Sequence, residues 1–87
     1  MKSTEQLLIE GKQLKEYRKL MGLKQYKVAE ELNTEQGNYC RMEQGRLNAD
    51  WRLDVMRKRF LAWRIGEVKR LKKQIYYLNT LGNDTTH

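Results

Sequence analysis

Apolar residues recur at helical spacing along most of the chain, and the breaks between these stretches are short and chemically marked. From Glu5 onward Leu7, Leu8, Leu14, Tyr17, Leu20 and Met21 follow a helical period interrupted by Gly11, which predicts a first helix ending near Met21. Ser3 or Thr4 can cap it after a loose lead-in over residues 1–5, and Gly22 supplies its stop, with Leu23 plugging the corner beneath the next helix. Lys24 to Leu32 carries Val28, Ala29 and Leu32 at helical spacing; Asn33-Thr34 breaks the pattern, and Glu35 to Gln44 resumes it with Tyr39 and Met42. Thr34 is suited to cap this third helix, Glu35 complements its dipole, and Gly45 suits a left-handed end. After a loop over residues 46–50, Asp50 is expected to cap a fourth helix. From Trp51 to about Leu78 there is no Pro and only Gly66, which allows one long helix or two with a bend near Gly66. Trp51, Val55 and Met56, with Leu53 or Phe60, are expected to close the core over the two short helices.

Those two short helices meet at a tight corner. On a helical wheel the third turns Tyr39 and Met42 to one side and Gln36, Gly37, Cys40, Arg41 and Gln44 to the other. Gln can pair in bidentate fashion with the N6/N7 edge of adenine, and Arg with the O6/N7 edge of guanine, both displayed in the major groove of duplex DNA. The competing reading of the same row is an ordinary solvated polar face. Cys40 lies on this row without a second Cys to resolve an oxidised thiol, which favours a small contact residue over a redox switch. Arg46 and Asn48, in the loop that follows, are placed to touch a phosphate backbone.

Size and composition narrow the chemistry. Eighty-seven residues suit one small domain without a deep substrate pocket, which argues against an enzyme. One Cys and one His cannot assemble a metal cluster or a Cys/His catalytic pair, so no cofactor or metal is expected. No apolar run approaches spanning length and nothing resembles a signal peptide, so the expected setting is cytoplasmic, with no membrane partner. The formal net charge is +7, and its distribution is uneven: residues 1–50 hold nine Lys/Arg against eight Asp/Glu, and residues 51–87 nine against three. Such a field favours a polyanion.

Leu14, Tyr17 and Arg18, Gly22-Leu23, Gln25, Val28-Ala29, Leu32, Tyr39, Arg41-Met42-Glu43 and Gly45, followed by Asn48, together resemble the Cro and lambda-repressor-like (XRE-type) helix-turn-helix family over roughly Lys12 to Phe60. The resemblance implies an all-α bundle of four to five helices, here with an extended basic C-terminal helix, and it implies sequence-specific binding of double-stranded DNA. It also implies that Gln25 anchors the second helix on a phosphate, that Gln36 and Arg41 face base edges or the adjoining backbone, and that Arg18 and Glu43 form an internal ion pair. With it, Gln36, Gly37, Cys40, Arg41 and Gln44 become base-side candidates, and Lys24, Gln25, Asn38, Arg46 and Asn48 phosphate-side candidates. The chain departs from the family at Lys24, where a capping Ser or Thr is usual, at Gly37, which often offers a side chain to a base, and near Ala49, where a Pro is common.

The expected organisation is a DNA-binding domain over residues 1–60, a C-terminal helix over 61–80, and a frayed tail over 81–87. Beyond Phe60 the resemblance fades. Leu61, Val68 and Ile75 fall seven apart, with Leu71 and Leu78 on the same seam and Arg64 as its flaw. This helix either pairs with a second copy or folds back as a fifth helix on its own core. In either case Arg57, Lys58, Arg59, Lys69, Arg70, Lys72 and Lys73 are expected on an exposed basic face, joined by Trp63, Tyr76 and Tyr77. The expected function is a transcription regulator of the Cro/repressor type, a homodimer on a palindromic operator. The alternatives are an antitoxin-type protein whose C-terminal helix holds a protein partner, and an architectural or excision-directing DNA-binding protein. RNA is the weaker polyanion, because no single-strand stacking platform is visible.

Overall fold

The computed structural model describes the backbone of residues 2–85 and the side chains of residues 2–79. The described chain is all-α, with four helices in the order α1 (Thr4–Leu20), α2 (Gln25–Glu31), α3 (Gln36–Glu43) and α4 (Trp51–Thr85). Ser3 caps α1, its Oγ accepting from the Gln6 amide at 3.1 Å. The lead-in is fastened rather than loose, because Lys2 Nζ donates to Glu10 Oε2 at 2.7 Å and to Asn48 Oδ1 at 2.9 Å.

The first three helices end in one way. A left-handed residue, Gly22, Asn33 or Gly45, follows each C-cap, and two amides then turn back onto the last turn of the helix. Leu23 donates to the Arg18 carbonyl and Gly22 to that of Lys19; Thr34 donates to Ala29 and Asn33 to Glu30; Arg46 donates to Arg41 and Gly45 to Met42. Asn tolerates this conformation better than other non-glycine residues, which makes Asn33 the hinge of the corner. Thr34 closes the stop of α2 with its amide and does not cap α3, which starts one residue later than the sequence suggests. The N-cap is Glu35, whose side chain makes no capping hydrogen bond. Asp50 likewise fails as a cap: it stands at φ 55, whereas a capping residue needs extended backbone, and its amide instead donates to Asn48 Oδ1 at 3.0 Å.

The core gathers Leu14 of α1, Val28, Ala29 and Leu32 of α2 and its turn, Tyr39 and Met42 of α3, and Ala49, Leu53 and Met56 at the start of α4. Tyr17, Met21 and Leu23 pack on its rim. Trp51 and Val55, expected in the core, are exposed, as are Leu8 and Leu20. The reason on α4 is phase: Ala49, Leu53, Met56 and Phe60 share one face at spacings of four, three and four, and residues 51 and 55 lie off it. Trp51 instead packs under the Arg52 guanidinium, 4.6 Å from its ring centroid. Arg52 also donates to the Leu32 and Asn33 carbonyls at 3.0 and 3.3 Å, placing a cation on the C-terminal end of α2.

Gly11 sits where α1 crosses α3. A Cβ there would lie 2.5 Å from the Met42 and Glu43 carbonyl oxygens, so only a residue without one lets the two backbones touch. Its place in the apolar pattern is therefore an approach point and not an interruption.

Helix α4 runs unbroken through Gly66 with no fold-back among the described residues, which therefore form four helices and not five. One glycine among good helix formers costs about 1 kcal/mol, too little to end the helix. The boundary expected at residues 60 and 61 falls inside this helix. The helix continues to Thr85, and residues 86 and 87 lie outside the described residues. Phe60 packs on Tyr17 with ring centroids 4.8 Å apart and on Trp63 at 5.7 Å, at the end of the packed head. Beyond them α4 projects as a stem. The radius of gyration is 18.3 Å, against about 12 Å for a compact chain of this length, and the extents are 65 × 23 × 16 Å. No helix among the described residues is long and apolar enough to cross a membrane.

Candidate nucleic-acid interface

Helix α3 divides cleanly. Tyr39, Met42 and Glu43 are buried, whereas Gln36, Gly37, Arg41 and Gln44 are exposed and Asn38 and Cys40 are half-buried. The outward row is stitched by weak contacts along its length: Arg41 Nη1 donates to Asn38 Oδ1 at 2.9 Å, Gln44 Nε2 to Cys40 Sγ at 3.5 Å, and Arg46 Nη1 to Gln44 Oε1 at 3.5 Å. These are exposed bonds that a stronger acceptor can displace. Nothing approaches the position of a Gly37 Cβ within 4 Å, so the face is open there.

Behind the row lies a charged lock. Arg18 grips Glu43 with two bonds, Nε to Oε2 at 2.6 Å and Nη2 to Oε1 at 3.1 Å, and its Nη1 donates to the Leu23 carbonyl at 3.2 Å. Gln25 Nε2 donates to Glu43 Oε1 at 3.1 Å, which brings α1, α2 and α3 onto one carboxylate. Burial alone would raise the Glu43 pKa, but the hydrogen bonds from Arg18 and Gln25, the nearby Tyr39 hydroxyl and the Arg18 charge hold it below the usual carboxylate value. The bond to Glu43 raises Arg18, outweighing the desolvation that opposes it. Burial, with the carboxylate's charge and hydrogen bonding, pushes the Tyr39 phenol well above its usual value. Its hydroxyl lies beside the pair without a hydrogen bond of good geometry.

The phosphate-side candidates differ in readiness. Lys24 is the N-cap of α2, exposed and with no side-chain cap bond, and Arg46 is exposed. Gln25 spends one amide hydrogen on Glu43 and keeps the other. Asn48 Oδ1 accepts from both Lys2 and the Asp50 amide, which leaves its Nδ2 as the group to meet an acceptor such as a phosphate oxygen. Periodicity gives no hint of Lys2, 46 residues away, as the residue orienting Asn48.

The expected basic face on α4 is partly neutralised. Arg59 pairs with Glu31 of α2 at 2.6 Å, Arg57 with Asp54 at 2.9 Å and Arg70 with Glu67 at 2.8 Å. Lys58, Lys69, Lys72 and Lys73 are exposed, Trp63 is half-buried against Phe60, and Tyr76 and Tyr77 are exposed. Leu61, Val68, Leu71, Ile75 and Leu78 are all exposed along the stem, joined by Ile65, which the sevenfold spacing omitted.

No protein-family model, curated protein or solved structure matches the chain.

Proposed function

We propose that this chain is a sequence-specific double-stranded DNA-binding transcription regulator of the Cro/repressor type, with a lambda-repressor-like helix-turn-helix formed by α2 and α3, working as a homodimer on a palindromic operator. The observation that carries the reading is the division of α3. Its inner side is fixed by the core and by the Arg18–Glu43–Gln25 lock, and its outer side presents Gln36, Arg41 and Gln44 to solvent, Arg41 and Gln44 held by exposed bonds along the row. A helix held this firmly from behind, with bidentate donors in front, suits the major groove. Lys24, Gln25, Asn38, Arg46 and Asn48 flank it with donors for phosphate, which positions such a helix without reading bases.

Selection of bound duplexes from a randomised pool at near-physiological salt tests this. The expected product is a near palindrome with half-sites about 10–10.5 base pairs apart, centre to centre. Recovery of random sequence would overturn the reading and reduce α3 to a scaffold.

A further inference from the structure

We infer that the stem of α4, residues 61–78, docks a second copy of this chain in a parallel, in-register, two-stranded pair whose strength is held down by Arg64. The inference deepens the proposed function by giving its dimer an interface and an orientation, and it rests on that reading only for the dimer's purpose.

The stem needs a partner. Leu61, Ile65, Val68, Leu71, Ile75 and Leu78 are between 44% and 63% exposed and form one stripe along the stem. A lone helix of this length is marginal in water, and an apolar stripe of this size marks an interface.

The residue types select the occupant. Leu61, Val68 and Ile75 take the first core position of successive heptads, two of them β-branched, and Leu71 and Leu78 take the fourth; each layer meets its own copy across the seam, and β-branched residues at the first position with leucine at the fourth favour two parallel strands. In that register each residue flanking the seam meets the partner's residue five positions on, and both meetings along the stem match in kind. Glu67, which Arg70 already pairs within its own helix, meets Lys72, opposite in charge; Gln74 meets Asn79, amide on amide. The interface is self-complementary, as a two-fold pair requires.

It is also weak by construction. Pairing the stripe buries roughly 1,000 Å² of apolar surface over the two copies, at the low end of specific interfaces. At the Arg64 layer two guanidiniums meet across the seam, where an apolar residue would otherwise pack. A polar core residue of this kind fixes register and costs stability. A parallel pair places both α3 faces at the same end, about a two-fold axis along the stems.

Sedimentation equilibrium on the full chain, without DNA, tests the proposal. The wild type is expected in a reversible monomer–dimer equilibrium. Leu71→Glu is expected to weaken it by at least ~100-fold, and Arg64→Leu to tighten it by ~10-fold or more. Both positions are exposed and beyond the core, and unchanged helical circular dichroism at high dilution verifies folding. Orientation is read from Ile75→Cys: mild oxidation is expected to yield a covalent dimer through the two copies of residue 75, absent from the wild type, whose one thiol is Cys40. A monomer at every concentration, a dimer indifferent to Leu71→Glu, or crosslinking only when Arg64→Cys is combined with Ile75→Cys overturns the inference, the last by showing antiparallel stems. A dimer that selects no duplex sinks the DNA reading and leaves this one standing. A palindrome bound with full affinity by Leu71→Glu does the reverse.

Discussion

Glu43 is the residue on which three helices converge, and its chemistry predicts an acid-sensitive fold. Its side chain is 4% exposed and that of Arg18 13% exposed, so Arg18→Ala, which strands the carboxylate, is expected to cost about 3–5 kcal/mol in urea titration. Because the folded pKa of Glu43 lies below its unfolded value of 4.5, its contribution is fully present above pH 4.5 and lost as pH falls through the lower folded value. Glu43→Gln should therefore flatten the decline in stability below pH 4.5, checked by melting temperature against pH in both proteins. Tyr39→Phe is expected to change stability by less than about 1 kcal/mol, since the buried hydroxyl it removes has no well-formed hydrogen bond to lose. Gly11→Ala should do more harm than this larger-looking change, at about 1–3 kcal/mol by urea titration, because its Cβ meets backbone oxygens that cannot swing aside.

At the scale of elements, the corner of α2 and α3 separates positioning from reading. Arg41→Ala is expected to cost about 1–3 kcal/mol of DNA affinity and to relax preference at one base position, whereas Lys24→Ala should weaken all sequences alike and flatten the salt dependence. Binding isotherms on the selected and a scrambled duplex, at two salt concentrations, check both; an unchanged ratio for Arg41→Ala would remove its base-reading role. Much of this level was legible in the sequence, because helices of this size announce their ends. Gly22, Asn33 and Gly45 are residues that tolerate the left-handed stop, and Val28, Ala29, Leu32, Tyr39 and Met42 keep helical spacing between them. What was not legible depends on three dimensions. Thr34 and Asp50 are good capping residues by type, yet α3 takes Glu35 as its N-cap and Asp50 stands at a positive φ. Trp51 and Val55 are apolar by type, yet the phase of α4 is set by Ala49, Leu53 and Met56. The outward row of α3 was readable as a row, and its bonds between residues three and four apart follow from helical spacing, but the hold of Lys2 on Asn48 follows from proximity that no local pattern encodes.

At the scale of the molecule, a packed head and a projecting stem are expected to differ in stability. Amide exchange should find protection through the core segment of α4 near Met56 at every concentration, but over residues 64–79 only where copies associate. Equal protection of the stem at high dilution would mean that it is stable alone. The elongated outline described above also governs how the protein moves through water. A body 65 Å long and 16–23 Å across meets more drag than a sphere of its mass, so a single copy should elute from a sizing column ahead of compact proteins of 10.5 kDa and mimic an oligomer. A second copy laid alongside the stem adds girth and not length. Doubling the mass then makes the particle relatively rounder, and the shift in elution understates the change. The state of this protein is to be weighed, not timed.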